Sequence, residues 1–202
     1  QRSEMLSGIS HDLRTPLTRI KLQLAFIKDK QLSNKLSEDV IEMEKMLNEY
    51  LQFSKNRSSE KGQKFDLSKL LKDTIKKYNK KNIIADITQN ILFHGKKILI
   101  NRCISNILDN SLKYAKNIKV NLKKSSNNII LLIDDDGPGI PKNEYENVFK
   151  PFYKIDKSRG ETKSSVGLGM SIASDIVQSH GGNIKLEKSI LKGLQVRITL
   201  PF

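Results

Sequence analysis

The sequence predicts an α+β protein in two parts, an N-terminal helical hairpin followed by a C-terminal α/β sandwich, and three observations carry that expectation. Apolar residues recur at helical spacing in two stripes, Leu6, Ile9, Leu13, Leu17, Ile20, Leu24 and Ile27, then Leu36, Val40, Met43, Leu47 and Tyr50. Beyond a polar stretch at residues 56–64 the pattern changes to helical segments alternating with short β-branched runs. The length of 202 residues, with 37% hydrophobic and 29% charged side chains, allows one domain or two small ones with a real core.

The two stripes define antiparallel helices joined by a polar turn at residues 29–34, with Ser33 as the expected N-cap of the second. Two helices alone cannot keep water from both stripes, so the expected solution is a dimeric four-helix bundle; a hairpin packed on its own domain is the alternative. Residues 1–57 form the hairpin, 58–64 the linker and 65–202 the sandwich. In the sandwich a helix is expected from Asp66 to Lys80, a short apolar run at Ile83–Ile87 and a second helix from Ile98 to Ala115. Strands follow at Ile118–Leu122 and Ile129–Ile133, and a helix at Ile172–Val177. The runs Ile184–Leu186 and Leu194–Leu200 close the chain as a hairpin-like pair.

A net charge of +14 favours an anionic partner. The excess is mostly scattered Lys with no Trp to stack on bases, so direct nucleic-acid binding is not expected. One cysteine, Cys103, makes no internal disulfide, which fits a reducing compartment. No apolar run approaches the ~20 residues of a membrane span. The chain opens inside a helical pattern, as a piece of a longer protein would, and any membrane anchor is expected outside it.

Several residue groups carry chemistry. Within Ser10-His11-Asp12-Leu13-Arg14-Thr15-Pro16-Leu17, His11 is rotated off the apolar stripe toward water, and Asp12 can fix its tautomer. Thr15 lies one turn on along the same face, and Pro16 should bend the helix. A solvated surface histidine is the plain alternative. On the second sandwich helix Asn106, Asn110 and Lys113 form one polar stripe, able to offer amide oxygens to Mg²⁺ and an ammonium to phosphate, or simply to meet water. The strand ending in Asp134-Asp135-Asp136-Gly137-Pro138-Gly139 presents carboxylates that can take a metal or a base edge, or be an acidic turn. Ser165-Val166-Gly167-Leu168-Gly169-Met170 opens a helix in the manner of a phosphate-binding glycine turn. The long segment 141–164 between them has the character of a lid.

These groups, taken in order, resemble the sensor histidine kinases of two-component systems. Residues 10–17 resemble the phosphoacceptor box, and residues 11–20 are most similar to those of osmosensing EnvZ-type kinases. Residues 106–114 resemble the asparagine box, 135–139 the Asp-x-Gly-x-Gly box, 148–152 the phenylalanine box and 166–170 the last glycine box. The resemblance covers nearly the whole chain and implies a dimeric hairpin joined to a Bergerat-type ATP-binding sandwich. It further implies that His11 attacks the γ-phosphate of ATP, that Asp12 orients the ring and assists as base, and that Thr15 positions water for dephosphorylating the partner. Asn110 would hold Mg²⁺ with Asn106 beside it, Lys113 and Tyr114 would contact phosphate, and Asp135 would receive the adenine amino group. Gly137, Gly139, Gly167, Leu168 and Gly169 would shape the site, and Lys154 would meet the transferring phosphate where the family often has Arg. Ser165 departs from the usual glycine.

The implied partners are a response-regulator receiver domain and a second copy of the chain. The implied location is the cytoplasmic face of the inner membrane, reached through a segment outside this chain. Two other classes remain open at this stage: a degenerate kinase acting as a dimeric docking module without ATP turnover, and an ATPase or chaperone relative on the same nucleotide fold.

Overall fold

The computed structural model describes residues 15–78, 82–155 and 167–202. The chain forms two compact units, residues 1–60 with 164–168 and residues 61–163 with 169–202.

In the first unit residues 15–24 are helical (α1) and pair with α2 (Lys30–Ser59). Leu17, Leu24 and Val40 are buried and Ile27, Leu36 and Leu47 pack on them, as the stripes require. Lys21 meets Glu44 across the hairpin at 2.5 Å. The second helix starts earlier than its apolar pattern indicates. Asp29, not Ser33, caps it, with Oδ1 accepting from the backbone N–H of Gln31 at 2.9 Å and Leu32 at 3.1 Å. Ser33 instead donates its hydroxyl to the carbonyl of Leu24 at 2.8 Å and closes the end of α1. Asp29→Ala should therefore lower hairpin stability by about 1 kcal/mol, read as a shift of the first thermal transition, whereas the Ser33 expectation would put that loss on Ser33→Ala. Ile20 and Met43, expected inside, are exposed, as are Leu22, Phe26 and Ile41. Pro16 lies within the helical residues 15–24, and the preceding residues, on which the expected bend depends, lie outside those described.

The second unit begins sooner than the linker expectation allows. Helix α2 runs to Ser59 and strand β1 (Gln63–Asp66) starts four residues on, so only residues 60–62 connect them. Strand β1 pairs antiparallel with β3 (Leu92–Gly95) in a small ribbon that the sequence reading missed. Its signal is faint: four-residue strands in which Phe65 and Phe93 are the buried aromatic pair, ring centroids 5.9 Å apart and edge to face. Between them lie α3 (Leu67–Lys76), capped by the Asp66 carboxylate accepting from Lys69 N–H, and strand β2 (Asn82–Ile87). Helix α4 (Lys97–Tyr114), β4 (Asn117–Lys124), β5 (Asn128–Asp135), α5 (Gly169–Ser179), β6 (Asn183–Lys188) and β7 (Leu194–Pro201) complete the unit.

The main sheet has the order β2-β4-β5-β7-β6, with β2 parallel to β4 and every other pair antiparallel. One face buries Ile118, Val120, Leu122, Ile129, Leu131, Ile133, Val196 and Ile198. Leu99, Ile100, Ile104, Ile107 and Leu108 of α4, with Ile172, Ala173, Ile176 and Val177 of α5, form the helical layer over it. Cys103 is buried in that layer, which pushes its thiol up to about 12. His180 closes the end of α5: one ring nitrogen faces the carbonyl of Ile176 at 2.7 Å and Nε2 accepts from Lys96 N–H at 3.0 Å, fixing where α4 begins.

Candidate functional site

The polar stripe of α4 lies at the border of the core. Ile107 and Leu108 are fully buried, which turns Asn106, Asn110 and Lys113 to half-buried positions at the rim. Asn106 donates its Nδ2 to the carbonyl of Gly169, the first residue of α5, at 3.3 Å. That bond fixes the amide orientation and leaves its Oδ1 as the group to offer a ligand. Lys113 sits with Nζ 5.0 Å from the ring centroid of the exposed Tyr114.

The three consecutive aspartates at the end of β5 divide three tasks. Asp134 is buried and accepts from Gln195 Nε2 at 2.9 Å. Asp136 accepts from the backbone N–H groups of Lys116 and Asn117 at 2.8 and 2.9 Å and from Asn117 Nδ2 at 2.6 Å. Those bonds, the backbone of Asn117 first, hold its carboxyl below the ordinary 3.8. Whatever Asp136 adds to stability is present above that ordinary value and lost as pH falls through the lower folded one. Both are structural groups.

Asp135 differs. It is 4% exposed, and its Oδ1 accepts from Gly137 N–H at 3.0 Å and from Leu194 N–H at 2.9 Å. One oxygen thus ties the glycine turn to the start of β7. Among the described residues Oδ2 takes no hydrogen bond. An anchored carboxylate whose second oxygen takes no protein donor retains capacity to accept another N–H.

Close approach explains some of the glycines. A Cβ on Gly137 would stand 3.1 Å from Asp135 Oδ1 and 3.2 Å from the carbonyl of Tyr114, so this turn passes tightly beside the end of α4. Gly139 has φ +70° and Gly167 φ +74°, backbone that favours glycine. Gly169 is under no such demand: a Cβ there makes only ordinary contact, 3.8 Å from Asn106 Cβ. The tightest of the described glycines is Gly193, which the sequence reading passed over. Its Cβ would lie 2.4 Å from Asp135 Oδ1 and 2.6 Å from Gly137 N. A Lys-Gly pair between two apolar runs was the available signal, and it reads only as a hairpin turn.

The structure therefore brings together Asn106 with Gly169, and Tyr114 with Gly137, Asp135 and Gly193. Leu168 is buried just ahead of α5, and Lys154 is exposed at the end of a described loop. Thr15 is exposed on α1. His11, Asp12, Ser165 and Val166 lie outside the described residues. Among the described residues no three His, Cys, Asp or Glu side chains form a metal-holding group. The groups on the rim of α4 are amide oxygens, which fit a hard cation that keeps water and phosphate as its other ligands. No helix among the described residues is long and apolar enough to cross a membrane.

Two family descriptions match the chain. Residues 95–202 match the histidine kinase-, DNA gyrase B- and HSP90-like ATPase, and residues 1–59 match the His kinase A (phospho-acceptor) domain. The sensor histidine kinase GtrS of Pseudomonas aeruginosa is 34% identical over 208 residues, covering 100% of this chain and 42% of that protein. The sensor histidine kinase CpxA of Escherichia coli is 29% identical over 225 residues, covering 99% and 47%. The chain thus spans less than half the length of these relatives. Among solved structures, full-length ShkA in complex with AMPPNP superposes with a TM-score of 0.68 at 16% identity, over 100% of this chain and 46% of that one, a likeness of fold.

Proposed function

The chain belongs to the two-component sensor histidine kinases, as the phosphoacceptor and ATPase portion of one, and on that premise we propose that it phosphorylates His11 from ATP and passes the phosphoryl group to an aspartate of a response regulator. The observation that carries the nucleotide half is Asp135, buried, anchored through Oδ1 and left with one oxygen for an amino group. A charged acceptor held in this way discriminates adenine by leaving itself unpaired against any base that lacks the donor.

In the first step one His11 ring nitrogen forms a bond to the γ-phosphorus as the bridging P–O bond breaks and ADP leaves. Asp12 holds the ring and takes up its positive charge through the other nitrogen. In the second step the phosphohistidine N–P bond breaks as a receiver aspartate oxygen takes the phosphoryl group. Asn110 would hold Mg²⁺, with Asn106 beside it. When bound, the ion would supply charge neutralisation on the nucleotide phosphates. Lys113, Tyr114 and Lys154 would meet phosphate, and Gly137, Gly139, Gly167, Leu168 and Gly169 would let the backbone approach it. Thr15 would orient water in the reverse, dephosphorylating activity.

We assign two macromolecular partners, the receiver domain and a second copy of the chain. The uncovered Leu22, Phe26, Ile41 and Met43 support the dimeric bundle. The membrane location, the EnvZ-type likeness and the division of labour between an N-terminal phosphoacceptor hairpin and a C-terminal ATP-binding sandwich belong to the same reading.

The test is incubation of the chain with Mg²⁺ and γ-labelled ATP, expecting label that acid releases and alkali does not. Absence of label from the chain incubated without a receiver domain, and from the receiver domain when one is added, would sink the reading. Asp135→Asn checks the nucleotide half separately. Its Oδ1 still accepts from Gly137 and Leu194, but an NH₂ now faces the adenine amino group, donor against donor. ATP affinity should fall about 100-fold in a fluorescent-nucleotide titration, with the unfolding midpoint nearly unchanged.

A further inference from the structure

The loop between the aspartate run and α5 carries two short 3₁₀ turns, Lys142–Glu144 and Asn147–Phe149. It is held at two points. Val148 is buried, and the second turn packs on α5. Five residues on, the Tyr153 hydroxyl donates to Glu144 Oε2 at 2.5 Å, and Asn147 Nδ2 donates to the same oxygen at 3.1 Å. Lys150 Nζ in turn donates to Asn147 Oδ1 at 2.7 Å. Between the two anchors Phe152 has φ +65°, a left-handed backbone that a bulky residue keeps only where its surroundings hold it there. Lys154 directly follows Tyr153 in the chain.

We propose that Tyr153 is a positioning residue for phosphoryl transfer: its hydrogen bond to Glu144 holds the strained turn so that the Lys154 ammonium is presented to the transferring phosphate. This rests on the reading of Lys154 given above. A lysine carries four rotatable bonds, so if its backbone origin also wanders, the effective concentration of its charge at the phosphate drops. The bond changes the rate of transfer more than the hold on ATP, because adenine recognition at Asp135 uses different residues. It is present at neutral pH in its phenol and carboxylate form. The Tyr153 bond, then that of Asn147, holds Glu144 below its ordinary 4.5, and the bond to Glu144 raises Tyr153. The carboxylate end is lost only as pH falls through that lowered value.

The experiment measures phosphohistidine formation at saturating ATP, and ATP affinity separately by titration, in Tyr153→Phe, Glu144→Ala, Glu144→Gln, Lys154→Ala and Tyr153→Phe/Lys154→Ala chains, each checked for an unchanged thermal midpoint. Expected are about a tenfold loss of rate for Tyr153→Phe and Glu144→Ala, ATP affinity within about twofold, and recovery to within about threefold for Glu144→Gln, which keeps the acceptor. In the Lys154→Ala background Tyr153→Phe should add nothing. Undiminished rate in Tyr153→Phe beside a slowed Lys154→Ala overturns the positioning role and leaves Lys154 standing. A normal Lys154→Ala rate removes Lys154 from the reaction and the proposal with it. Additive losses in the double variant show that Tyr153 acts elsewhere, which also overturns it.

Discussion

His11→Gln should take up no acid-labile label from γ-labelled ATP, a complete loss, while binding ATP as tightly as the parent. Glutamine nearly matches histidine in size and polarity, yet its amide nitrogen has no available lone pair, so it cannot form the N–P bond. The groups proposed to bind the nucleotide, Asn106 in contact with Gly169 and Asp135 with Gly137 and Gly193, all belong to the second unit. Three outcomes separate the classes the sequence left open. Label lost with ATP binding kept is the kinase result. A parent chain that binds no ATP at all would be the docking module. If His11→Gln released phosphate from ATP at the parental rate while neither chain held label, the protein would be an ATPase of the wider fold.

The second large effect is expected at Gly193, which belongs to none of the recognised boxes and is distant from them in sequence. In Gly193→Ala the new methyl would lie 2.4 Å from Asp135 Oδ1, 2.5 Å from the Asp135 carbonyl and 2.6 Å from Gly137 N. Two of those three neighbours are backbone and none is a flexible chain end, so the β6–β7 turn must back away. Retreat breaks Gly193 N–H to the Asp135 carbonyl at 3.1 Å and Leu194 N–H to Asp135 Oδ1 at 2.9 Å. Overpacking and the two lost bonds together should cost about 2–4 kcal/mol, measured by denaturant unfolding of the second transition. ATP affinity should drop at least about tenfold, since Asp135 loses one of its two anchors. Gly169→Ala is the control. It stands at the start of a helix with only ordinary contacts, and there alanine should leave stability unchanged or raise it by up to about 1 kcal/mol. A Gly193→Ala chain as stable as the parent would show that the turn has slack the close contacts deny.

Much of this was legible from residue order. Burial periodicity identified both hairpin helices, α4, β4, β5 and the closing β6–β7 pair, because each has one face that must leave water and its spacing says which. The short ribbon β1–β3 was not legible. Four residues carry too little periodicity, and Phe65 and Phe93 declare themselves only when paired across 28 positions of chain. Ser33 was the wrong cap for a related reason: Asp29 and Ser33 are both good caps, and which one serves depends on where α1 ends, since Ser33 is used by the Leu24 carbonyl.

What the sequence by itself determined was the set of elements and the chemical inventory: a histidine beside a carboxylate, an asparagine helix, a strand ending in acid and glycine. Those are local properties, set by side-chain identity and by periods of two and 3.6 residues. Only the tertiary structure decided how the inventory is used. Asp134, Asp135 and Asp136 are the same residue in sequence, and the register of β5 against β4 and β7 gives one to Gln195, one to Asn117 and ties the middle one to the Leu194 and Gly137 N–H groups through a single oxygen. Gly193 is tightly enclosed for the same reason. A glycine's demand for space is set by what comes to lie against it, and here that is Asp135, 58 residues earlier in the chain and adjacent only after the sheet has formed.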